Sequence, residues 1–480
     1  MDYKSIFKLL SMIGMTLGLL FLLNILIAII YDESYSEMAL FDSFFFLTNL
    51  AVWLSLKKHP VTLKIKESIL AVNMIWILLG ISGAIPLYLY THISFASAFF
   101  EAISGFTTTG ATIYSDIEGL PHLILFHRSL MHWLGGMGII VLGVGLLSMI
   151  NPTGSLSLFR AESTGIQMEK FTPKIKDMAL RLWGVYLALT IADALLLMFF
   201  GLNWFDAVNH AFSTIATGGF STKNDSLGYF GGDGIIWVTI LFMVLSGINF
   251  LAHLKLFYRD TSGYKREEVK WYLLVIMGLS LILTLAHTLM SSDSLYFSLK
   301  HSFFTIASVT TGTGFSTLDY EQWGSVAIAI VLLAMLVGGN AGSTAGGVKV
   351  IRYIIIFKTI FSEFRRILHP NALISVFVDG VKIKERILSA TFGFFFLYVF
   401  TAFVVMLYIY ARGFDVMTAV SGSLATVGNI GPGFSLVGPT QNFGFFSDID
   451  KYVLSVAMIV GRLECYTVFI LLSRSFWKKF

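Results

Sequence analysis

Residues 205–222 read FDAVNHAFSTIATGGFST: about ten mostly apolar and small residues, too few to cross a bilayer, and then a Thr/Gly turn. Three other stretches share the plan: FFEAISGFTTTGAT at 99–112, SLKHSFFTIASVTTGTGFST at 298–317 and FDVMTAVSGSLATVGNIGPG at 414–433. Two end in GFST and two begin with Phe-Asp. With Gly110, Gly219, Gly314 and Gly428 as equivalents the spacings are 109, 95 and 114 residues, the signature of internal duplication. Each turn is preceded and followed by a long apolar run. Irregular backbone at membrane depth is tolerated only where protein buries it or a watery cavity receives it. Four such turns therefore share one central path. Glycine permits the backbone angles that aim successive carbonyls one way. Short helices entering from outside bring their partially negative C-termini to the axis. Carbonyls and negative helix ends together favour a dehydrated monovalent cation.

The rest of the chain agrees with a membrane setting. Of 480 residues 56% are hydrophobic and 13% charged, and the mean hydropathy is +0.78; soluble domains carry about 25% charge. The net charge of +4 is too small to indicate nucleic acid. The single cysteine, Cys465, excludes internal disulfides and a Cys-based metal cluster.

Apolar runs lie at Leu9–Ile30 and near 37–56, 67–90, 123–150, 178–201, 234–257, 270–290, 323–358, 386–411 and 451–475. The first is too long for a signal-peptide core and reads as a retained helix. Ten crossings with both termini cytoplasmic place 25 of the 33 basic residues inside, among them Lys57, Arg181, Lys265 and Arg366. The outer loops hold acids such as Asp116, Asp225, Asp319 and Asp448. The expected fold is an all-α polytopic membrane protein: four pseudo-repeats of helix, short pore helix, filter turn and helix around a central pore. Two extra N-terminal transmembrane helices (1–60) precede repeats at 61–155, 156–260, 261–370 and 371–480.

On the stretches SGFTTTGAT (104–112), HWLGGMGIIVL (132–142), FRAESTGIQMEKFTPKI (159–175), FSTIATGGFST (212–222), GGNAGSTAGGVKVIR (338–352), GNIGPG (428–433) and GRLE (461–464), the chain resembles the TrkH/TrkG/KtrB group of potassium transporters, and most of all its TrkH-type subunits. The resemblance implies potassium as the transported ion, a bacterial inner-membrane location, a homodimer and a cytosolic TrkA-type nucleotide-binding partner, with no cofactor bound by this chain. It carries the selectivity glycines onto Gly110, Gly219, Gly314 and Gly428. The carbonyls of Thr108, Thr109, Thr217, Gly218, Gly312, Thr313, Thr426 and Val427 complete the ion cage, and Asn429 holds the fourth turn. Glycine at all four positions favours potassium, since a serine at the first is associated with sodium in the wider superfamily.

VGGNAGSTAGGVKV at 337–350 interrupts the run 323–358 with five glycines. Each internal glycine costs about 1 kcal/mol of helix relative to alanine, so the helix is expected to break there. The resemblance assigns this segment a gate, at Gly338, Gly339, Gly342, Gly346, Gly347 and Lys349. Arg462 lies mid-helix in the last run, functional by default; its GRLE motif implies a latch onto the gate loop. Glu464, two residues on, is a poor partner for it.

Other residues are expected to be structural. His132 and His253 read as interfacial or packed, and Asp193 as a helix contact or a coupling site. Glu101, Asp206 and Asp415 read as caps of the short helices. Gly80-Ile81-Ser82-Gly83 resembles an intramembrane protease motif, but no dyad histidine accompanies it, and an enzyme is not expected. The alternatives are a proton- or sodium-coupled potassium carrier, whose inverted repeats are absent here, and a sodium-permeable relative. The cytoplasmic loops are too short for a nucleotide-binding domain; 255–270 and 358–386 are candidate docking loops, with acidic membrane lipid as competitor.

Overall fold

The computed structural model describes residues 1–138 and 175–478. Residues 139–150 of the run 123–150, residues 159–174 of the motif 159–175 and the repeat boundary near 155 lie outside the described residues. Among the described residues, six helices are long and apolar enough to cross a bilayer. They are α1 (Tyr3–Ile30), α2 (Ser36–Ser55), α3 (Ile65–Thr91), α6 (Ile175–Phe199), α10 (Glu267–Met290) and α14 (Glu385–Ala411). The last four are each followed by a short helix and a turn. The short helices are α4 (Phe95–Phe106), α7 (Trp204–Ile215), α11 (Leu295–Thr311) and α15 (Val416–Val427).

A twelve-residue helix such as α4 rises about 18 Å, well short of a hydrocarbon core of about 30 Å. Each short helix starts on a side-chain cap. Ser94, Asn203, Ser294 and Asp415 accept from the backbone N–H three residues on. Of the three acids expected as caps, only Asp415 is one; Asp206 sits in the first turn of its helix and Glu101 lies in mid-helix. Each short helix stops where the chain enters the left-handed region.

The helices that follow the turns are all interrupted. α5 (His122–Trp133) runs into a wide, π-type turn at Leu134–Gly138. α8 (Asp233–Ser246) and α9 (Phe250–Phe257) meet at 99°, and α12 (Ser325–Met335) is separated from α13 (Val350–Leu368) by a non-helical stretch. α16 (Asp448–Arg462) meets its continuation Tyr466–Leu472 at 112°. The runs 234–257 and 451–475, expected as single crossings, are each sharply bent within the run.

Polarity is arranged inside out. Leu40, Phe199, Leu289 and Phe396 lie exposed on the outside of the bundle. The hydroxyls of Ser104, Thr107, Thr109, Ser213, Thr311 and Thr426 are buried with the short helices. α1 packs on α2, α3 and α5, and Asn24 Nδ2 lies 3.0 Å from His127 Nδ1. Towards the opposite end of α1, Lys8 Nζ donates to the carbonyls of Lys57 and His59, at 2.8 and 2.7 Å.

Candidate ion pathway

The four turns repeat one backbone pattern: a left-handed residue, an ordinary one, then a left-handed glycine. The trios are Thr108-Thr109-Gly110, Thr217-Gly218-Gly219, Gly312-Thr313-Gly314 and Asn429-Ile430-Gly431. In the fourth turn the expected equivalent, Gly428, is the right-handed cap of α15 at φ −79°. Gly431, at φ +97°, occupies the position of Gly110, Gly219 and Gly314. Thr426 and Val427 belong to the end of α15 rather than to the turn. Asn429, expected only as a brace, is the left-handed residue of its trio.

The turns close on one another in cyclic order. A Cβ placed on Gly110 would lie 2.1 Å from the carbonyl oxygen of Gly218, and one on Gly219 would lie 1.9 Å from that of Thr313. The same construction puts Gly314 2.3 Å from Ile430 O and Gly431 2.7 Å from Thr109 O. Each neighbour oxygen belongs to the middle residue of the next trio, and the fourth turn returns to the first. No side chain fits at any of the four glycines without displacing a carbonyl. All four line one open cavity of about 140 Å³, together with Arg128, Lys223, Ser316 and Asn442.

Different side chains pin each returning segment to its short helix. Glu101 accepts from Ile113 N (2.9 Å), Thr112 Oγ1 (3.0 Å) and Arg128 Nε (2.8 Å). The Arg128–Glu101 pair is buried at 1% and 0% exposure, and Arg128 also donates to Ser221 O at 3.2 Å. In the second turn His210 Nε2 lies 2.9 Å from Ser221 Oγ, and Thr222 donates to Asp206 at 2.5 Å. His301 meets Thr317 Oγ1 at 2.9 Å in the third. In the fourth, Phe434 N donates to Ser421 Oγ at 2.8 Å. These polar pairs were missed because none has the spacing of a known motif.

The glycine-rich segment lies at the helix-end side of the turns, opposite the cavity. A Cβ on Gly346 would fall 2.5 Å from Gly428 O and one on Gly312 3.3 Å from Gly346 N. Its arms join at Gly338 N to Val348 O (2.9 Å) and Val350 N to Gly339 O (3.2 Å). The bend is held by the break in α8–α9: Asn340 N donates to Gly247 O, Asn249 Nδ2 to Ala341 O and Phe250 N to Gly342 O. Arg462 donates to Thr344 O at 3.0 Å and to the carbonyls of Gly135 and Gly136 at 3.1 and 3.3 Å. Glu464 pairs with Arg352 at 2.5 Å. Lys349 Nζ donates back to Ala345 O. Glu268, unremarked in the sequence, accepts from Ala341 N (2.6 Å) and Ile351 N (3.3 Å), one on each arm.

Among the remaining residues, His253 packs between Tyr264 OH and Leu245 O. His132 is not interfacial; it is fully buried behind the second turn. Asp193 is buried beside Thr214 of α7. Ser82 donates to Leu79 O within its own helix. The loops 255–270 and 358–386 meet where Glu267 N donates to Asp379 (2.8 Å) and Lys358 contacts both Glu267 and Phe377 O.

The family model TrkH, described as "Cation transport protein", matches residues 36–479. The Trk system potassium uptake protein TrkH of Salmonella typhimurium is 36% identical over 490 residues, covering all of both chains. TrkG of Escherichia coli is 34% identical over 96% of each. The crystal structure of the potassium transporter TrkH from Vibrio parahaemolyticus superposes with a TM-score of 0.89 at 33% identity, over the whole of both chains.

Proposed function

The chain belongs to the TrkH family of cation transport proteins, and from that premise we propose that it takes up potassium through the ring of four glycine turns. The observation that carries the reading is the cyclic closure. Thr109, Gly218, Thr313 and Ile430 each set a carbonyl oxygen against the glycine of a neighbouring turn. Four oxygens of one register replace water around a monovalent ion, and four helix C-termini deepen the negative potential there. Arg128 on the cavity side is neutralised by Glu101, so the approach keeps its attraction for cations.

The ion-binding set is then Thr108, Thr109, Gly110, Thr217, Gly218, Gly219, Gly312, Thr313, Gly314, Asn429, Ile430 and Gly431. The loop carrying Gly338, Gly339, Gly342, Gly346, Gly347 and Lys349 is the gate, latched by Arg462. The protein is a multi-pass subunit of a Trk-type uptake system in the bacterial inner membrane, working as a homodimer. A cytosolic TrkA-type nucleotide-binding partner docks on the joined basic loops 255–270 and 358–386. It is a transporter rather than an enzyme.

The test is flux into proteoliposomes under potassium or sodium gradients, with and without the partner. Gly219→Ser puts a Cβ 1.9 Å from Thr313 O; it is expected to raise sodium permeation or to abolish uptake. An unchanged ion preference refutes the filter.

A further inference from the structure

At the middle position of the trio, the first, third and fourth turns carry Thr109, Thr313 and Ile430, and the second carries Gly218. In the first and third turns a pair of hydroxyls braces the backbone: Thr107 with Thr109 and Thr311 with Thr313, both at 2.7 Å. In the fourth, Asn429 Nδ2 donates to Thr109 Oγ1 (2.9 Å) and to Met458 O (3.0 Å). The corresponding residues of the second turn, Ala216 and Gly218, can form no such brace. The space a side chain would take on Gly218 is filled from another element. A Cβ there would lie 2.4 Å from Nδ1 and 2.5 Å from Cγ of His132, on α5. The imidazole stacks on Phe220 with centroids 4.1 Å apart. Its Nδ1 lies 3.3 Å from Ser213 Oγ and accepts a long bond from Phe220 N at 3.4 Å. It thereby joins the end of α7 to the first residue beyond Gly219.

We propose that His132 is a positioning residue for ion discrimination, standing in for the side chain that the second turn lacks and fixing the Gly218 carbonyl in the ring. The inference rests on the filter reading above. Gly218 has no left-handed φ, so its backbone accepts a side chain once the imidazole is removed.

The experiment measures rubidium and sodium uptake by the full-length chain in proteoliposomes and reads their ratio rather than the rate. His132→Ala is expected to lower the rubidium-to-sodium ratio by about tenfold, the equivalent of one lost brace. The double variant His132→Ala/Gly218→Thr restores most of it, whereas Gly218→Thr alone collides with the ring and impairs uptake. Should the alanine variant not fold, His132→Leu fills the space without an acceptor and reads the same ratio. A wild-type ratio in His132→Ala or His132→Leu, or a double variant no better than the single, overturns the assignment. Gly219→Ser run alongside separates the causes: if it shifts the ratio while the His132 variants do not, only this inference fails. If it too leaves the ratio unchanged, the filter reading fails first.

Discussion

Thr108 and Thr217 hold φ near +53° and +55°, a region that β-branched residues almost never occupy. Each such residue costs of order 1–3 kcal/mol and persists only where its surroundings over-determine it. Here the surroundings are the neighbouring turn on one side and the pinned returning segment on the other. Among those pins the Arg128–Glu101 contact is an ion pair, buried at 1% and 0% exposure. Removing one partner of a buried ion pair costs about 3–5 kcal/mol, because the other is left charged without compensation. Arg128→Met is therefore expected to lower the midpoint of thermal unfolding in detergent, and Glu101→Gln in the same chain to recover part of the loss. Additive losses in that double-mutant cycle would refute the pairing. At this scale the sequence was legible in three turns of four. GNIGPG offers glycines at 428, 431 and 433, and composition cannot choose among them. The choice is made by Asn429, the non-glycine residue best suited to a left-handed angle, which puts the glycine two places later.

The interrupted helices form one set of devices. The sequence exposed only the break at 337–350, where glycine density overwhelms helix propensity. The glycines in SGIN (246–249), GGMG (135–138) and GRLE (461–464) gave weaker signals, since small residues are ordinary in packed membrane helices. The bends are specified instead by tertiary partners: broken backbone at one helix receives the loop of another. Arg462 joins two of these breaks and Glu268 joins the two arms of the loop. Hydrogen bonds to a charged group contribute about 1.5–3 kcal/mol each. Arg462→Ala is expected to raise resting potassium flux without the partner. Glu268→Ala is expected to do the same, by roughly tenfold if one such bond is lost. Glu268→Gln, which keeps an acceptor, should fall between. Resting flux indistinguishable from the parent in both alanine variants would sink the latch.

For the molecule as a whole, the helical membrane class follows from hydropathy and was readable. What periodicity cannot give is which run is a straight crossing and which a bent one, because lipid-facing composition is the same for both. The topology can be measured directly, since Cys465 is the sole cysteine and is buried. In a Cys465→Ser chain, single cysteines at Lys57 and Lys265 are expected to react with an impermeant thiol reagent only from the cytoplasmic side. Those at Asp225 and Asp319 should react only from outside. Labelling of Lys57 and Asp225 positions from the same face would overturn the ten-crossing scheme.

The ring has a seam. Gly431 meets Thr109 across more than three hundred residues of chain, so nothing is sealed until the ribosome has released almost the whole polypeptide. A product that ends before the fourth turn leaves Gly314 without the Ile430 oxygen and Thr109 without Gly431. On the proposed pathway, a chain split between the third and fourth turns is therefore expected to take up potassium only when both fragments are co-expressed.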